Sequence, residues 1–248
     1  MTEQQDYIFG LRPVQEALEA GRNIERILIR KGLQGDQFQL LLQLIRQTGI
    51  PYQMVPVEKL NRVTRKNHQG IIAITAMVTY QPFEEVIAQV FESGKDPMIL
   101  ILDGITDVRN MGAIARSAEA AGANAILLPE KGSAQINPDA MKTSAGALSI
   151  IPVCRTPDLI RSVRYLRNAG LKITGATEKT DILYYQADFR SPAAIIMGAE
   201  DVGISPSLLD ICDQEVRIPM LGKISSLNVS AAASVLLFEV VRQRESQS

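Results

Sequence analysis

The sequence predicts an α/β protein in two parts, a small α/β unit followed by a larger one built on a parallel sheet. Its 248 residues exceed the ~150 of a typical domain. Short segments such as Ile99-Leu100-Ile101-Leu102 and Ala194-Ile195-Ile196-Met197 are apolar throughout, as strands covered on both faces are. From residue 98 onward strand and helix signals alternate.

In the first 80 residues, apolar spacing predicts helices over Val14 to Ala20 and Phe38 to Gln47, with extended segments at Arg26 to Arg30, Pro51 to Val55 and Ile71 to Val78. A polar stretch follows, in which Pro82 opens a short amphipathic helix and Gly94 closes it. Residues 81–95 are expected as a linker between domains at 1–80 and 96–248. The second domain should hold strands at Met98 to Leu102, Asn124 to Leu128, Leu171 to Ala176, Ala193 to Met197 and Glu215 to Ile218. Helices are expected at Asn110 to Ala121, Pro157 to Ala169, Pro206 to Cys212 and Ser230 to Arg242.

Composition removes several function classes. No stretch approaches the ~18 apolar residues of a membrane helix, and Met1 to Gly10 lacks signal-peptide order, so a cytoplasmic protein is expected. Cys154 and Cys212 stand far apart in no CxxC pattern and read as small apolar residues. The single histidine, His68, excludes multi-histidine metal sites, and no metal is expected. Net charge is −1, but residues 1 to 80 hold ten Lys/Arg against seven Asp/Glu, net +3. Lys59, Arg62, Arg65 and Lys66, interleaved with Asn61, Asn67 and His68, form a run without an acid. That run is either a solvated face or a surface for nucleic acid.

In parallel sheets ligands settle at the carboxyl ends of strands, which directs attention to the loops after Leu102, Met197 and Ile218. After Leu102, Asn110 suits a helix N-cap and Arg116 sits in a helix of small residues, Ala113 to Ala121. There a guanidinium calls for either an internal acid or a ligand. After Met197, Gly198 and Gly203 allow close approach to the backbone, while Glu200 either faces solvent or serves the site. Position 204 is isoleucine where a phosphate-binding loop needs lysine, and no GxGxxG follows any strand. After Ile218, the run Ser225-Ser226-Leu227-Asn228-Val229-Ser230 offers more hydrogen-bonding groups than one helix cap requires.

Asn110-Met111-Gly112-Ala113 with Arg116, Met197-Gly198-Ala199-Glu200 with Gly203, and Ile218-Pro219-Met220 with Ser226-Leu227-Asn228-Val229-Ser230 resemble, in order, the three motifs of the SpoU/TrmH family of RNA ribose 2′-O-methyltransferases. Gly10-Leu11-Arg12-Pro13-Val14 and His68-Gln69-Gly70-Ile71 resemble that family's RNA substrate-binding domain. Within the family, Gly132-Ser133-Ala134-Gln135-Ile136-Asn137 and Glu239-Val240-Val241-Arg242-Gln243-Arg244 are most similar to the branch that methylates a guanosine of 23S ribosomal RNA. Val108-Arg109 departs from the proline common before the motif-one asparagine.

The resemblance implies a trefoil knot near the C-terminus, a homodimer, and S-adenosylmethionine bound at Met197, Gly198, Ile218, Met220 and Leu227. It implies a catalytic set of Asn110, Arg116, Glu200, Ser226 and Asn228; RNA is expected at Arg12 and His68 of the two quoted front-domain motifs and at Arg65 and Lys66 of the basic run. Arg116 is cast as the group that activates the ribose hydroxyl. Since arginine's pKa lies above ~12, stabilising the developing alkoxide or clamping a phosphate are the other roles open to it. The alternatives are a tRNA 2′-O-methyltransferase, a catalytically inactive RNA-binding homologue, and a knotted enzyme acting on a base nitrogen.

Overall fold

The computed structural model describes residues 7–246. It divides into two compact units, one up to Thr79 and one from Tyr80.

The first unit runs β1 (Tyr7–Phe9), α1 (Leu11–Glu19), β2 (Ile24–Arg30), α2 (Asp36–Thr48), β3 (Tyr52–Val55), α3 (Val57–Val63) and β4 (Ile71–Thr75). The sheet order is β1-β4-β2-β3, with β4 antiparallel to both its neighbours and β2 parallel to β3. Alternation in β2 sends Ile27 and Ile29 toward Val14, Leu41 and Ile45 of α1 and α2. Leu28 joins the opposite cluster with Leu60 of α3. Neither β1 nor α3 is anticipated by spacing. Three residues show no period, and the seven of α3, with Leu60 buried and Val63 partly buried beside it, are too few for the Val57, Leu60, Val63 spacing to stand out.

The second unit begins with α4 (Phe83–Glu92), within residues expected as a linker. Phe83, Val86 and Ile87 are instead buried in one cluster with Ile99 and Ile101, so this segment belongs to the core of the unit. Then follow β5 (Met98–Asp103), α5 (Val108–Ala120), β6 (Ala125–Pro129), α6 (Pro138–Thr143), β7 (Val153–Thr156), α7 (Leu159–Asn168), β8 (Lys172–Ala176), β9 (Ala193–Gly198), α8 (Pro206–Leu209), β10 (Gln214–Val216) and α9 (Val229–Glu245). Strand β7 escapes sequence reading because Arg155 interrupts its apolar run; the guanidinium lies 3.9 Å over the Tyr80 ring.

All six strands of this sheet are parallel, in the order β10-β8-β9-β5-β6-β7. Asp103 pairs with Gly198 and Ala176 with Val216, so four strands end side by side. Strand order reverses at β5, where the chain departs toward β6 and returns as β9, and a crevice opens at such a point. The closing helix is tied down from its far end: Arg244 donates to the carbonyls of Pro97 and Ser191, and Gln243 donates to Ala187 O. The residues 239–244 singled out by resemblance thus brace the segments that lead into β5 and β9. No helix among the described residues is long and apolar enough to cross a membrane.

Candidate active site

At the carboxyl ends of β8, β9 and β10 lies a pocket of about 440 Å³, within the ~300–1,000 Å³ usual for small-molecule sites. Met197, Gly198, Ile218, Met220 and Leu227, the five residues assigned to the cofactor, all line it. Thr177, Glu178 and Arg217 line it too and were missed. The loop after β8 has neither glycine nor a polar run to draw attention, and only its position at a strand end could have pointed to it.

Gly198 closes β9 and its absent side chain matters to the fold. A Cβ there would overlap the carbonyl group of Gly203 and the nitrogen of Ile204. The loop doubles back at this point, with Gly203 N donating to Ala199 O at 2.9 Å and Ser205 N to Asp103 Oδ2 at 2.7 Å. Glycine is required for the chain to cross itself, a stricter demand than the close ligand approach expected there.

This loop carries Glu200 to the starts of two helices. Asn110 Nδ2 donates to Glu200 Oε1 at 3.0 Å, Asn228 Nδ2 at 2.6 Å and Val229 N at 3.3 Å. Asn228 Nδ2 also donates to Asn110 Oδ1 at 3.0 Å. The expected N-cap role of Asn110 is corrected here. Asp107 caps α5, accepting from Arg109 N and Asn110 N at 2.8 Å each, which frees the Asn110 side chain to reach Glu200, 90 positions away in sequence. Asn228 does cap α9, accepting from Ser230 N at 3.0 Å. The N-terminal ends of both helices favour negative charge where the carboxylate sits. The donors to Glu200 all take Oε1; among the described residues Oε2 has no partner, nor has the exposed Ser226 hydroxyl.

Arg116 stands apart. Six residues beyond Asn110 in α5, it is about 9 Å further along the axis and turned some 240° around it. It does not line the pocket, it is exposed, and no acid among the described residues pairs with it, so the internal ion pair weighed from sequence is absent. The small residues around it serve the chain itself. A Cβ on Gly112 would lie 2.6 Å from Ala140 O of α6, and Ser117 Oγ meets Ser234 Oγ of α9 at 2.7 Å.

In the first unit, Arg65 and Lys66 are exposed, and Lys66 Nζ lies 5.9 Å over the Phe9 ring. Arg12, with its side chain 82% exposed, pairs loosely with Glu16 at 3.2 Å. His68 is corrected. It is 9% exposed, its Nδ1 accepts from Gly70 N at 3.0 Å, and Nε2 donates to Asn61 Oδ1 at 3.0 Å, so neither nitrogen is available to RNA. The two motifs quoted from this unit meet in space: Leu11 N donates to Gln69 Oε1 at 2.9 Å and Gly10 N to Ile71 O at 3.2 Å.

The strand-end pocket rimmed by the Glu200 junction has known counterparts. The SpoU rRNA Methylase family matches residues 97–238, and the RNA 2′-O ribose methyltransferase substrate-binding family matches residues 7–81. This chain belongs to the SpoU family. The SpoU relative RlmB of Vibrio parahaemolyticus, a 23S rRNA (guanosine-2′-O-)-methyltransferase, is 37% identical over 96% of this chain and 97% of its own. A Bacillus subtilis protein assigned to the TrmH tRNA/rRNA methyltransferase family, YacO, is 32% identical over 98% of both chains. Among solved structures, the SpoU methyltransferase AviRb of Streptomyces viridochromogenes, in complex with AdoMet, has a TM-score of 0.62 at 27% identity, covering 98% of this chain and 92% of its own. These SpoU neighbours carry the trefoil knot that the resemblance implies.

The pocket of this SpoU chain suits such a cofactor. Met197, Ile218, Met220 and Leu227 offer apolar surface for a purine. The backbone N–H groups of Ile218, Met220 and Leu227 make no hydrogen bond among the described residues and are open to polar ring edges. Both cysteines are chemically quiet: burial pushes the thiols of Cys154 and Cys212 up to about 12.

Proposed function

We propose that this SpoU protein transfers a methyl group from S-adenosylmethionine to the ribose 2′-hydroxyl of a guanosine in 23S ribosomal RNA, in the cytoplasm and as a homodimer. The observation that carries the reading is the junction at Glu200, an acceptor oxygen left open beside a cofactor-sized pocket. The 37% identity to RlmB over nearly the whole chain supports the substrate.

When bound, the cofactor supplies an electrophilic methyl on a sulfur that leaves uncharged, so no acid is needed. The residues of the chain have to hold the ribose in line, and the hydroxyl proton leaves to solvent at the exposed rim as the oxygen–methyl bond forms and the sulfur–methyl bond breaks. Glu200 Oε2 and Ser226 are the free groups at the rim suited to hold the ribose, while Asn110 and Asn228 fix the glutamate's orientation. Arg116 is assigned to the negative charge that develops on the attacking oxygen. Its place off its own pocket favours a homodimer in which a second copy delivers it. Arg12, Arg65 and Lys66 are assigned to RNA phosphates, and the two units correspond to substrate-binding and methyl-transferring domains.

Purified protein, S-adenosylmethionine and unmodified 23S ribosomal RNA should yield 2′-O-methylguanosine on nucleoside mass spectrometry. R116A should lower turnover by about a hundredfold or more while leaving calorimetric cofactor affinity near wild type. Product on transfer RNA alone would move the substrate, product on a base would reject the ribose oxygen, and RNA binding without product would favour the inactive homologue. Light scattering should give twice the chain mass; an active monomer would end the second-copy role of Arg116.

A further inference from the structure

We propose that Arg217 pairs with the carboxylate at the amino-acid end of the cofactor and so determines which adenosyl compounds the pocket retains; this rests on the cofactor reading above. Among the residues lining the pocket Arg217 is the one cation, against the two carboxylates of Glu178 and Glu200. S-adenosylmethionine carries the complementary set, with a sulfonium, an ammonium and one carboxylate. Among the described residues the guanidinium has no hydrogen-bond or ion-pair partner, and of its nitrogens Nε is buried. A cation of this kind on the wall of an otherwise acidic pocket has its charge and its outer N–H groups to offer a bound carboxylate. A planar guanidinium matches a carboxylate with two parallel N–H donors.

The backbone holds the residue in place. Arg217 N donates to Ile182 O and its carbonyl accepts from Tyr184 N, each at 2.9 Å, so residues 182–184 hold its backbone at both polar groups just past β10. The side chain therefore leaves from a fixed point on the pocket wall. An RNA phosphate is the other oxyanion that could reach a rim cation; the anion of the ligand that fills the pocket is the nearer match, because Arg217 is the one cation on its wall.

Calorimetry on the full chain separates the possibilities, with S-adenosylhomocysteine and 5′-methylthioadenosine as probes. The second keeps the nucleoside and the sulfur and lacks the amino-acid end. R217Q should weaken S-adenosylhomocysteine by roughly ten- to a hundredfold, the worth of a charge-assisted hydrogen bond, and leave 5′-methylthioadenosine within about twofold. R217K, which keeps the charge and loses the fork, should fall between. Equal weakening of both probes would assign Arg217 to pocket shape, unchanged S-adenosylhomocysteine affinity with weaker RNA binding would assign it to phosphate, and either overturns the proposal. Should R217Q not fold, R217K decides, and its unchanged affinity for S-adenosylhomocysteine would overturn it as well. Wild-type protein that binds neither probe would instead refute the cofactor reading, and this proposal with it.

Discussion

Two hydrogen-bonded clusters built on asparagine, one in each unit, end in opposite roles. At Asn61 and His68 each ring nitrogen is used once by a protein partner and the ring is buried, so nothing remains to offer a ligand. At Asn110, Glu200 and Asn228 three donors crowd onto one carboxylate oxygen, the other is open, and the group is exposed beside a pocket. Both lie in stretches where polar residues gather, and residue type does not separate them. Spare hydrogen-bonding capacity does: the first cluster braces a loop, and the second keeps an acceptor oxygen open beside the pocket.

The strongest way to break this contrast is at Gly198. Because a Cβ would collide with the backbone of Gly203 and Ile204, G198A should cost about 3 kcal/mol or more in chemical denaturation and abolish cofactor binding by distorting the loop that lines the pocket. Gly203, whose Cβ would meet open space although its φ is 72°, serves as the control, with G203A losing about 1–2 kcal/mol. A folded, cofactor-binding G198A would show that the loop crossing does not organise the site.

A second comparison turns on the first unit. H68A removes a buried, doubly bonded ring and should lower stability by about 1–3 kcal/mol, with RNA affinity of the folded fraction unchanged. Neutralising the exposed Arg65 and Lys66 together should do the reverse. Stability should stay within about 0.5 kcal/mol, while the slope of log affinity against log salt for single-stranded ribosomal RNA fragments should shrink by about 1.4. If the salt slope of the double variant equals wild type, the basic run is a solvated face after all.

The smallest effect is expected at the Arg12–Glu16 pair. Both partners are largely exposed, so E16Q should change the melting temperature by less than a measurable amount. Freed from the acid, Arg12 should bind RNA slightly more tightly. Weaker RNA binding in E16Q would mean that the pair orders the arginine for its task.

Much of this molecule follows from local rules. Apolar runs at Ile99 to Leu102 and Ala194 to Met197, and the glycine-containing polar loops after them, determine a covered parallel sheet with polar groups gathered at its strand ends, because burial and turn chemistry act within a few residues. What each polar side chain does was decided by the tertiary structure. Asp107 took the cap expected of Asn110, and the parallel order β10-β8-β9-β5 brought the ends at Val216, Ala176, Gly198 and Asp103 together, which set Glu200 against helix starts from distant parts of the chain. The same packing spent the small residues of α5 on α6 and α9 and left Arg116 facing outward. A sequence states what each residue can bond to. Which partner it meets depends on the strand order, and that is a property of the whole sheet rather than of any segment in it.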